Sequence, residues 1–220
     1  MLAKVITVAQ QKGGAGKTTV VAQLAVLWAT QGLKVALVDI DPQASLTAWH
    51  MARRRHHRDQ EAGGIQLSTV GGWRLASEMA RLRHDFDMVL VDSPPHADSD
   101  ARVAIRAADL VVIPLQPSPM DLWAIAPTLD LTRKEKRPFL IVLNRMPARG
   151  NLPEDILAHL NKDNIPVCSA SLGNRLPFAA SMMQGAGVLE THPKSAAADD
   201  LKAVAMAVMA ALPPPKAKST

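Results

Sequence analysis

Apolar residues along the chain form short continuous runs, and these alternate with longer segments in which apolar positions recur every three to four residues. The short runs are typical of strands buried on both faces, and the longer segments of helices. The strands predicted in this way are Val5–Ala9, Lys34–Asp41, Ile65–Val70, Phe86–Asp92, Asp109–Pro114, Phe139–Asn144 and Pro166–Ala170. The predicted helices are Val20–Thr30, Ala44–Arg55, Trp73–Arg83, Ser99–Ala107, one from about Met120, Pro153–Leu160, Phe178–Gly185 and Ala197–Leu212.

This alternation of strands and helices predicts an α/β fold, a mostly parallel twisted sheet with helices on both faces. The 220 residues are enough for one sizeable core, so we expect a single domain over residues 1–212 and a flexible C-terminal tail over 213–220. Ligands of such sheets bind beyond the carboxyl ends of the strands. Functional residues are therefore expected along that edge.

Composition narrows the class of protein. Hydrophobic residues make up 48% and charged residues 20%, which fits a globular protein and is too apolar for disorder. No apolar run reaches the roughly 18 residues that span a bilayer, and the first strand leaves no room for a signal peptide, so we expect a cytoplasmic protein. The single cysteine, Cys168, excludes an internal disulfide. The net charge of +5 favours polyanionic partners, although a solvated basic surface is the alternative.

A glycine-rich turn lies between the first strand and the first helix, with the sequence Gln11-Lys12-Gly13-Gly14-Ala15-Gly16-Lys17-Thr18-Thr19. Glycines let backbone N–H groups converge on phosphate oxygens, and the helix N-terminus adds unpaired donors. Lys17 supplies a positive charge, and the Thr18 hydroxyl a magnesium ligand. Gln11 stands where the ordinary P-loop pattern has its first glycine, and Lys12 adds a second lysine inside the turn.

Polar side chains end several predicted strands. Asp39 and Asp41 end the second strand, Asp92 ends the strand before Ser93-Pro94-Pro95, and Asn144 ends a later one. Two acids separated by one residue point to opposite sides of an extended strand, so Asp39 and Asp41 are expected to have different roles. Asp92 is expected to hold magnesium or its water ligands, the alternative being an ion pair with a structural lysine.

These motifs together resemble the ParA/MinD family of P-loop ATPases. Lys12–Thr19 is similar to the family's deviant Walker A motif, and Val38–Gln43 to its second nucleotide motif; Asp87–Pro95 and Ala108–Pro119 extend the likeness. The landmarks run to about Asn144, roughly two thirds of the chain. The resemblance implies a P-loop NTPase fold, ATP and Mg²⁺ as cofactors, and hydrolysis of ATP to ADP and phosphate.

The resemblance also implies roles for individual residues. Lys12 would reach across a dimer to the nucleotide of the other subunit. Asp41 would orient or deprotonate the attacking water, and Asp39 would support magnesium through its coordination shell. Asn144 matches the family's adenine-contacting position, and a plain turn residue is the alternative.

Within the family the chain looks most like the small ParA proteins of plasmid partition and cargo positioning. That likeness implies an ATP-sandwich dimer that binds DNA non-specifically, associates with the nucleoid when ATP-bound, and is released when a ParB-like or cargo-adaptor protein stimulates hydrolysis. The DNA-binding candidates are the basic residues Arg145, Arg149, Lys162 and Arg175. Arg175 resembles an arginine that recurs in the small members, and a solvated charge is the alternative for each.

Three other functions share parts of this pattern. A MinD-like membrane-associated ATPase needs a basic amphipathic C-terminal helix, whereas the last helix here is mostly Ala, Val and Met, so no membrane partner is expected. An iron–sulfur reductase of the nitrogenase iron-protein type needs more cysteines than this chain has. A small-molecule ligase or kinase of the same fold is supported by no substrate-specific motif.

Overall fold

Strands and helices alternate along the residues that the computed structural model describes, which are 2–58, 61–95, 99–150 and 152–214. The strands are β1 (Lys4–Val8), β2 (Val35–Asp39), β3 (Ile65–Thr69), β4 (Met88–Asp92), β5 (Leu110–Leu115) and β6 (Phe139–Leu143). The helices are α1 (Lys17–Thr30), α2 (Ser45–His56), α3 (Gly72–Asp85), α4 (Ser99–Ala107), α5 (Pro119–Ala124), α6 (Ala126–Lys134), α7 (Leu152–Lys162), α8 (Leu176–Met183), α9 (Val188–Thr191) and α10 (Ala196–Ala211). The predicted α/β class is confirmed.

All the paired strands are parallel, in the order β3-β2-β4-β1-β5-β6. In this register Asp92 of β4 lies opposite both Val8 of β1 and Asp39 of β2. The strands therefore end level with one another, and the loops that follow them share one edge. This is the edge at which the sequence predicted the functional residues.

The continuous apolar runs of the strands follow from burial on both faces of the sheet. On one face Ile6, Leu37 and Leu90 belong to a core that also contains residues of α1 and α10. On the other face alternate residues such as Val5 and Val89 pack with residues of α3 and α4, and further along the sheet those of β5 and β6 pack with α6 and α7. Each strand thus buries its side chains in two directions, as a two-faced α/β sheet requires.

The predicted strand Pro166–Ala170 is wrong. The backbone of Ile141 donates to the Pro166 carbonyl (2.9 Å) and accepts from the Cys168 N–H (2.8 Å), which makes one bridge between Ile141 and Val167. Proline has no N–H with which to extend such a ladder. The segment therefore runs beside β6 for a single residue pair.

The region from Met120 contains two helices where the sequence predicted one. The helix α5 ends at Ala124 and α6 begins at Ala126, with Pro127 in the first turn of α6. Pro127 has no N–H to donate to the carbonyl of Trp123, so a continuous helix would lose a hydrogen bond there. The four-residue α9 was not predicted, because one helical turn shows no periodicity.

The run Arg53–Arg58 at the end of α2 is basic, and the sequence alone predicts a solvated helix end there; for Arg53 this prediction is wrong. Arg53 is 1% exposed and makes a two-pronged ion pair with Glu190, with N–O distances of 3.0 and 2.8 Å. Gly185, at φ +67°, lies so close that a Cβ there would be 2.0 Å from the Arg53 backbone nitrogen. These contacts hold the end of α2 against α9, through Glu190, and against the segment that joins α8 and α9, through Gly185.

The C-terminal end of the described chain returns to the start of the sheet. The Lys4 ammonium donates to the Pro213 carbonyl at 2.9 Å, and residues 215–220 of the predicted tail lie outside the described residues. Within the described ranges, no helix has the length and apolarity that a membrane span would need.

Candidate functional site

The glycine-rich turn leads directly into α1, whose N-terminus lies at the carboxyl edge of the sheet. Gly16 precedes the helix in the left-handed region at φ +93°, where a side chain is strained. A Cβ on Gly16 would also meet the Asn144 carboxamide nitrogen at 2.4 Å. Both features require glycine here, and they place the unpaired N–H groups of the first turn of α1 at this edge. Such an arrangement binds anions.

Two side chains from neighbouring strand ends brace the turn. The Asn144 amide donates to the Ala15 carbonyl at 2.9 Å, and the Gln116 amide donates to the Gly14 carbonyl at 2.7 Å. Both hydrogen bonds fix carbonyl oxygens of the turn. The donors are the residues that directly follow β5 and β6. Asn144 thus has a structural role that the sequence did not predict, and its contact with adenine stays a prediction.

Thr18 and Asp92 meet where the sequence predicted a magnesium site. The Thr18 hydroxyl donates to Asp92 Oδ2 at 2.6 Å, while the buried Asp92 Oδ1 has no hydrogen-bond partner within the described chain. Burial raises the pKa of the Asp92 carboxyl to about 7, and the hydrogen bond from Thr18 opposes this rise. A buried carboxylate oxygen without a partner, beside a hydroxyl, fits a hard divalent cation completed by phosphate and water oxygens.

Lys17 extends into the same site. Its side chain is buried, and burial lowers the pKa of the ammonium, while the charges of Asp92 and Asp41 act in the opposite direction. The two carboxylates thus stabilise the buried ammonium in the absence of a nucleotide. At the N-terminus of α1 the same ammonium is placed to bind phosphate groups in the cradle.

Asp39 and Asp41 have different surroundings, because β2 ends at Asp39 and Asp41 lies in the loop that follows it, although the sequence predicted both within the strand. The Asp39 carboxylate accepts from the Thr47 N–H (2.9 Å) and hydroxyl (2.6 Å) at the start of α2, and from the Asp41 N–H (3.1 Å). Asp41 is partly exposed and accepts from the Gln43 N–H at 3.0 Å. Asp39 therefore shapes the loop that carries Asp41, and its part in a magnesium shell stays a prediction.

Lys12 lies at the rim of the cradle and makes an ion pair within its own chain. Its Nζ is 2.6 Å from Asp121 Oδ2, and the side chains are 37% and 4% exposed respectively. Asp121 also accepts a hydrogen bond from the Ser118 hydroxyl. Sequence reasoning missed Asp121, because an acid in the first turn of a short helix resembles an ordinary end-of-helix residue.

A cleft of about 110 Å³ adjoins the cradle at the start of α1. Gly16, Thr19 and Asn144 line one side, and residues 172–175 and Phe178 line the other. The position next to the phosphate-binding turn is where the nucleoside part of a bound nucleotide would lie. Residues 172–174 were missed because they carry no motif and follow a segment that was predicted as a strand, and Arg175 was predicted to contact DNA rather than to line this cleft.

The four predicted DNA-binding residues lie in different parts of the fold, although Arg145 and Arg175 line the same cleft. Arg175 makes a two-pronged ion pair with Asp200 (2.6 and 3.2 Å) and lines the cleft described above. Arg145 and Arg149 are exposed in the loop after β6, at the carboxyl edge. Lys162 is at the far end of α7, about 15 Å along the helix from Leu152. Their contacts with DNA stay predictions.

Comparison with known proteins identifies the family of the chain. Residues 6–188 match the CobQ/CobB/MinD/ParA nucleotide binding domain. The "Maintenance of carboxysome distribution protein A" of Halothiobacillus neapolitanus is 29% identical over 201 residues, which cover 89% of this chain and 91% of that protein. "Protein ParA" of Rhizobium radiobacter is 28% identical over 218 residues, which cover 93% and 95%.

The fold also matches a solved structure. The septum site-determining protein MinD of Pyrococcus horikoshii, complexed with Mg-ADP, has a TM-score of 0.78 and 20% sequence identity, and the match covers 94% of this chain and 96% of that one. The family and the P-loop NTPase fold that the motifs predicted are therefore confirmed. The chain belongs to the CobQ/CobB/MinD/ParA nucleotide-binding family.

Proposed function

We propose that the protein is a ParA-like ATPase that binds ATP and Mg²⁺, forms an ATP-sandwich dimer and binds DNA non-specifically in that state. Hydrolysis, stimulated by a ParB-like or cargo-adaptor protein, returns it to the free monomer. The observation that carries the proposal is the different placement of the two lysines of one phosphate-binding turn. Lys17 is buried in the cradle, whereas Lys12 lies half-exposed at its rim.

Each component of phosphoryl transfer has a residue in a suitable position. Thr18 and Asp92 would hold magnesium, which supplies charge neutralisation between the phosphates. Lys17 binds the phosphates, and Asp41, in the partly exposed loop after β2, orients or deprotonates the attacking water. Positioning and electrostatic stabilisation account for most of the rate in this reaction, so the protein needs no covalent nucleophile.

Dimerisation couples the nucleotide to DNA. Each chain carries a formal charge of +5, so a dimer carries twice that charge, +10. DNA affinity rises steeply with the number of phosphate contacts and falls with salt, because binding releases condensed counterions. ATP would therefore place the protein on the nucleoid, and hydrolysis would release it.

The cargo is chosen by the adaptor in this proposal. The two relatives are named for carboxysome distribution and for ParA, so the same ATPase cycle would serve partition of a plasmid or chromosome and positioning of a protein organelle. A MinD-like membrane role is less well supported, because the apolar side of α10, with Leu201, Val204 and Val208, is buried in the core.

DNA binding of three proteins tests the proposal: wild type, Lys17→Ala and Asp41→Ala, each with ATP, ADP or no nucleotide. Wild type is expected to bind DNA with ATP and to lose affinity as salt rises. Lys17→Ala should bind no better with ATP than without it, and Asp41→Ala should remain on DNA as a dimer that does not hydrolyse ATP. Unchanged wild-type affinity on adding ATP would refute the switch, and normal hydrolysis by Asp41→Ala would refute the role of Asp41.

A further inference from the structure

A group of basic side chains lies where α4 and α6 pack together. The guanidinium groups of Arg102 and Arg106 both contact the Glu135 carboxylate, at 2.5 and 2.8 Å. Lys134 and Lys136 flank that glutamate in the chain, and both are exposed, with no side-chain partner among the described residues. We call these five residues the α4–α6 patch. Its four cations and one carboxylate give it a net charge of +3, within a chain whose net charge is +5.

The cations of the patch share one surface. Arg102, Arg106 and Lys134 line a groove of about 660 Å³ between the two helices. The two arginines are four residues apart on α4, so they lie on the same side of that helix, about 6 Å apart along its axis. Their side chains are 57% and 58% exposed. Asp130 also lines the groove, but it lies 4.0 Å from Arg133, and this pair adds no net charge.

The patch extends to the edge of the sheet opposite the nucleotide site. The helix α4 ends shortly before β5 begins, and α6 ends shortly before β6 begins. Arg106, Lys134 and Lys136 therefore lie near the amino ends of these strands, whereas Thr18 and Asp92 meet at the carboxyl edge of the sheet. A molecule bound to these cations leaves the carboxyl edge, where the proposed dimer forms, uncovered.

We propose that the α4–α6 patch binds the phosphate backbone of duplex DNA. The inference rests on the proposed function, which requires a DNA-bound dimer, and it names the surface that makes the contact. Arginine binds phosphate oxygens through two parallel N–H groups, and lysine binds them as a point charge. Contacts of this kind carry no sequence information, as non-specific binding requires.

An anionic membrane is the other polyanionic surface that attracts such a group of cations. Proteins that bind at the membrane interface bury large apolar side chains beside their cations. The large apolar side chains that are strongly exposed in the described chain lie outside α4, α6 and the loop after α6. Val103 and Leu131, which line the groove, are only partly exposed. Cations without an apolar anchor are better suited to DNA phosphates.

Glu135 competes with DNA for the two arginines. Hydrogen bonds from Arg106 and Arg102 lower the pKa of the Glu135 carboxyl to about 2, so this group is a carboxylate at neutral pH. Glu135→Gln removes its charge and leaves both guanidinium groups available to phosphate. We expect this variant to bind DNA at least about threefold more tightly than the parent. Asp163→Asn removes an acid on the surface next to α7, 3.9 Å from His159, and should change the affinity less than twofold, or about 0.4 kcal/mol.

Two double variants with the same change in charge test the contact directly. Lys134→Gln/Lys136→Gln removes two cations of the patch, and Lys34→Gln/Lys194→Gln removes two exposed lysines elsewhere. Fluorescence anisotropy of a labelled duplex, with ATP in an Asp41→Ala background, measures the dissociation constant over a series of salt concentrations. The patch variant should raise the dissociation constant at least about tenfold and reduce the salt slope by about 2 or more, because each phosphate contact contributes about 0.9. The control should stay within about threefold of the parent.

All four lysines are exposed, so thermal melting and ATP binding should match the parent and exclude misfolding. Lys134→Arg/Lys136→Arg keeps the charge and should bind DNA as the parent does. Equal losses from the two double variants, or equal gains from Glu135→Gln and Asp163→Asn, would overturn the inference, because net charge alone would then explain the binding.

Anionic vesicles of phosphatidylglycerol and phosphatidylcholine serve as the second probe. If Lys134→Gln/Lys136→Gln loses binding to these vesicles but keeps its affinity for DNA, the patch serves a membrane and the inference is overturned. DNA affinity of the parent that does not respond to ATP would refute the proposed function, while the comparison of the variants would still identify the DNA-binding surface. A parent protein that binds no DNA at all would refute both.

Discussion

Releasing Lys12 from Asp121 should strengthen ATP-dependent dimerisation. In the monomer the lysine is held within its own chain, and it must leave Asp121 before it can approach the nucleotide of a second copy. Asp121→Asn removes the negative charge but keeps the size of the side chain and an oxygen that can accept from Ser118. The substitution therefore lowers the cost of freeing Lys12 with little change in packing.

The size of the effect follows from the exposure of the pair. Lys12 is 37% exposed and Asp121 is 4% exposed, so water screens one partner of a contact at 2.6 Å. Exposed pairs contribute about 0.2–1 kcal/mol, and we take about 1 kcal/mol for this half-buried one. A dimer breaks two such pairs, which amounts to about 2 kcal/mol, or a dissociation constant about 30-fold lower for Asp121→Asn.

The assay is light scattering in an Asp41→Ala background with ATP, over protein concentrations that span the dissociation constant. Asp130→Asn is the matched control, because Asp130 is 65% exposed and its nearest cation, Arg133, is 4.0 Å away. Dimerisation of Asp121→Asn that is equal to or weaker than that of the parent would refute the reasoning. It would mean that Lys12 does not need to leave Asp121, or that Asp121 itself stabilises the dimer.

Three further predictions concern single residues. Lys12→Ala should bind ATP but lose ATP-dependent dimerisation, as measured with a fluorescent ATP analogue and by light scattering. Gly16→Ala should lose nucleotide binding at least about tenfold, because φ is +93° and the new Cβ would press on Asn144. Glu190→Gln should lower the free energy of unfolding in urea by about 3 kcal/mol, because it leaves the buried Arg53 charge uncompensated. Burial raises the pKa of Glu190, but Arg53, the Gly187 N–H and His57 together lower it more. This stabilisation should therefore be present above the pKa of an unfolded glutamate, about 4, be lost as the pH falls through the lowered pKa, and be absent from the variant.

The prediction for Glu190→Gln has two controls. Thr191→Ser changes a residue next to Glu190 without touching the ion pair and should unfold at nearly the wild-type urea concentration. Glu78→Gln removes an acid whose partner, Arg81, is 48% exposed, so about 1 kcal/mol or less should be lost. An equal loss from Glu78→Gln and Glu190→Gln would contradict the argument from burial. ATP-dependent dimerisation by Lys12→Ala would contradict the prediction for Lys12. Tight ATP binding by Gly16→Ala would contradict the prediction for Gly16.

Much of the fold could be predicted because its signals are local. Strands buried on both faces are continuous apolar runs, and several end at or just before a polar residue that marks the same edge, as β4 does at Asp92 and β6 before Asn144. The order of strand, glycine turn and helix then placed Thr18 beside Asp92 without any knowledge of tertiary contacts. Predictions of this kind depend on the spacing of apolar residues and on the order of the elements, and both can be read directly from the sequence.

The errors at Arg53 and Asp121 concern contacts between segments that are distant in the chain. Arg53 is within a basic run, and its burial depends on Glu190, 137 residues away. Asp121 is 109 residues from Lys12, and neither residue signals the other. The predicted strand at Pro166 fails because its neighbour in the sheet can bond with it at one position alone. Long-range polar pairing has no period, so pattern reasoning could not find it.

The long-range contacts also explain how a phosphate-binding turn could act as a switch. The start of the turn is hydrogen-bonded to α6. The Thr128 hydroxyl accepts from the Gln11 N–H (3.2 Å) and donates to the Gln10 side chain (3.2 Å). Its rim is tied to α5 through the pair between Lys12 and Asp121. In the proposed dimer, a change that moves Lys12 toward a second nucleotide would therefore act on α5 through Asp121. Coupling of this kind requires an element with two arrangements that both sites influence, and α5 has the contacts to be that element.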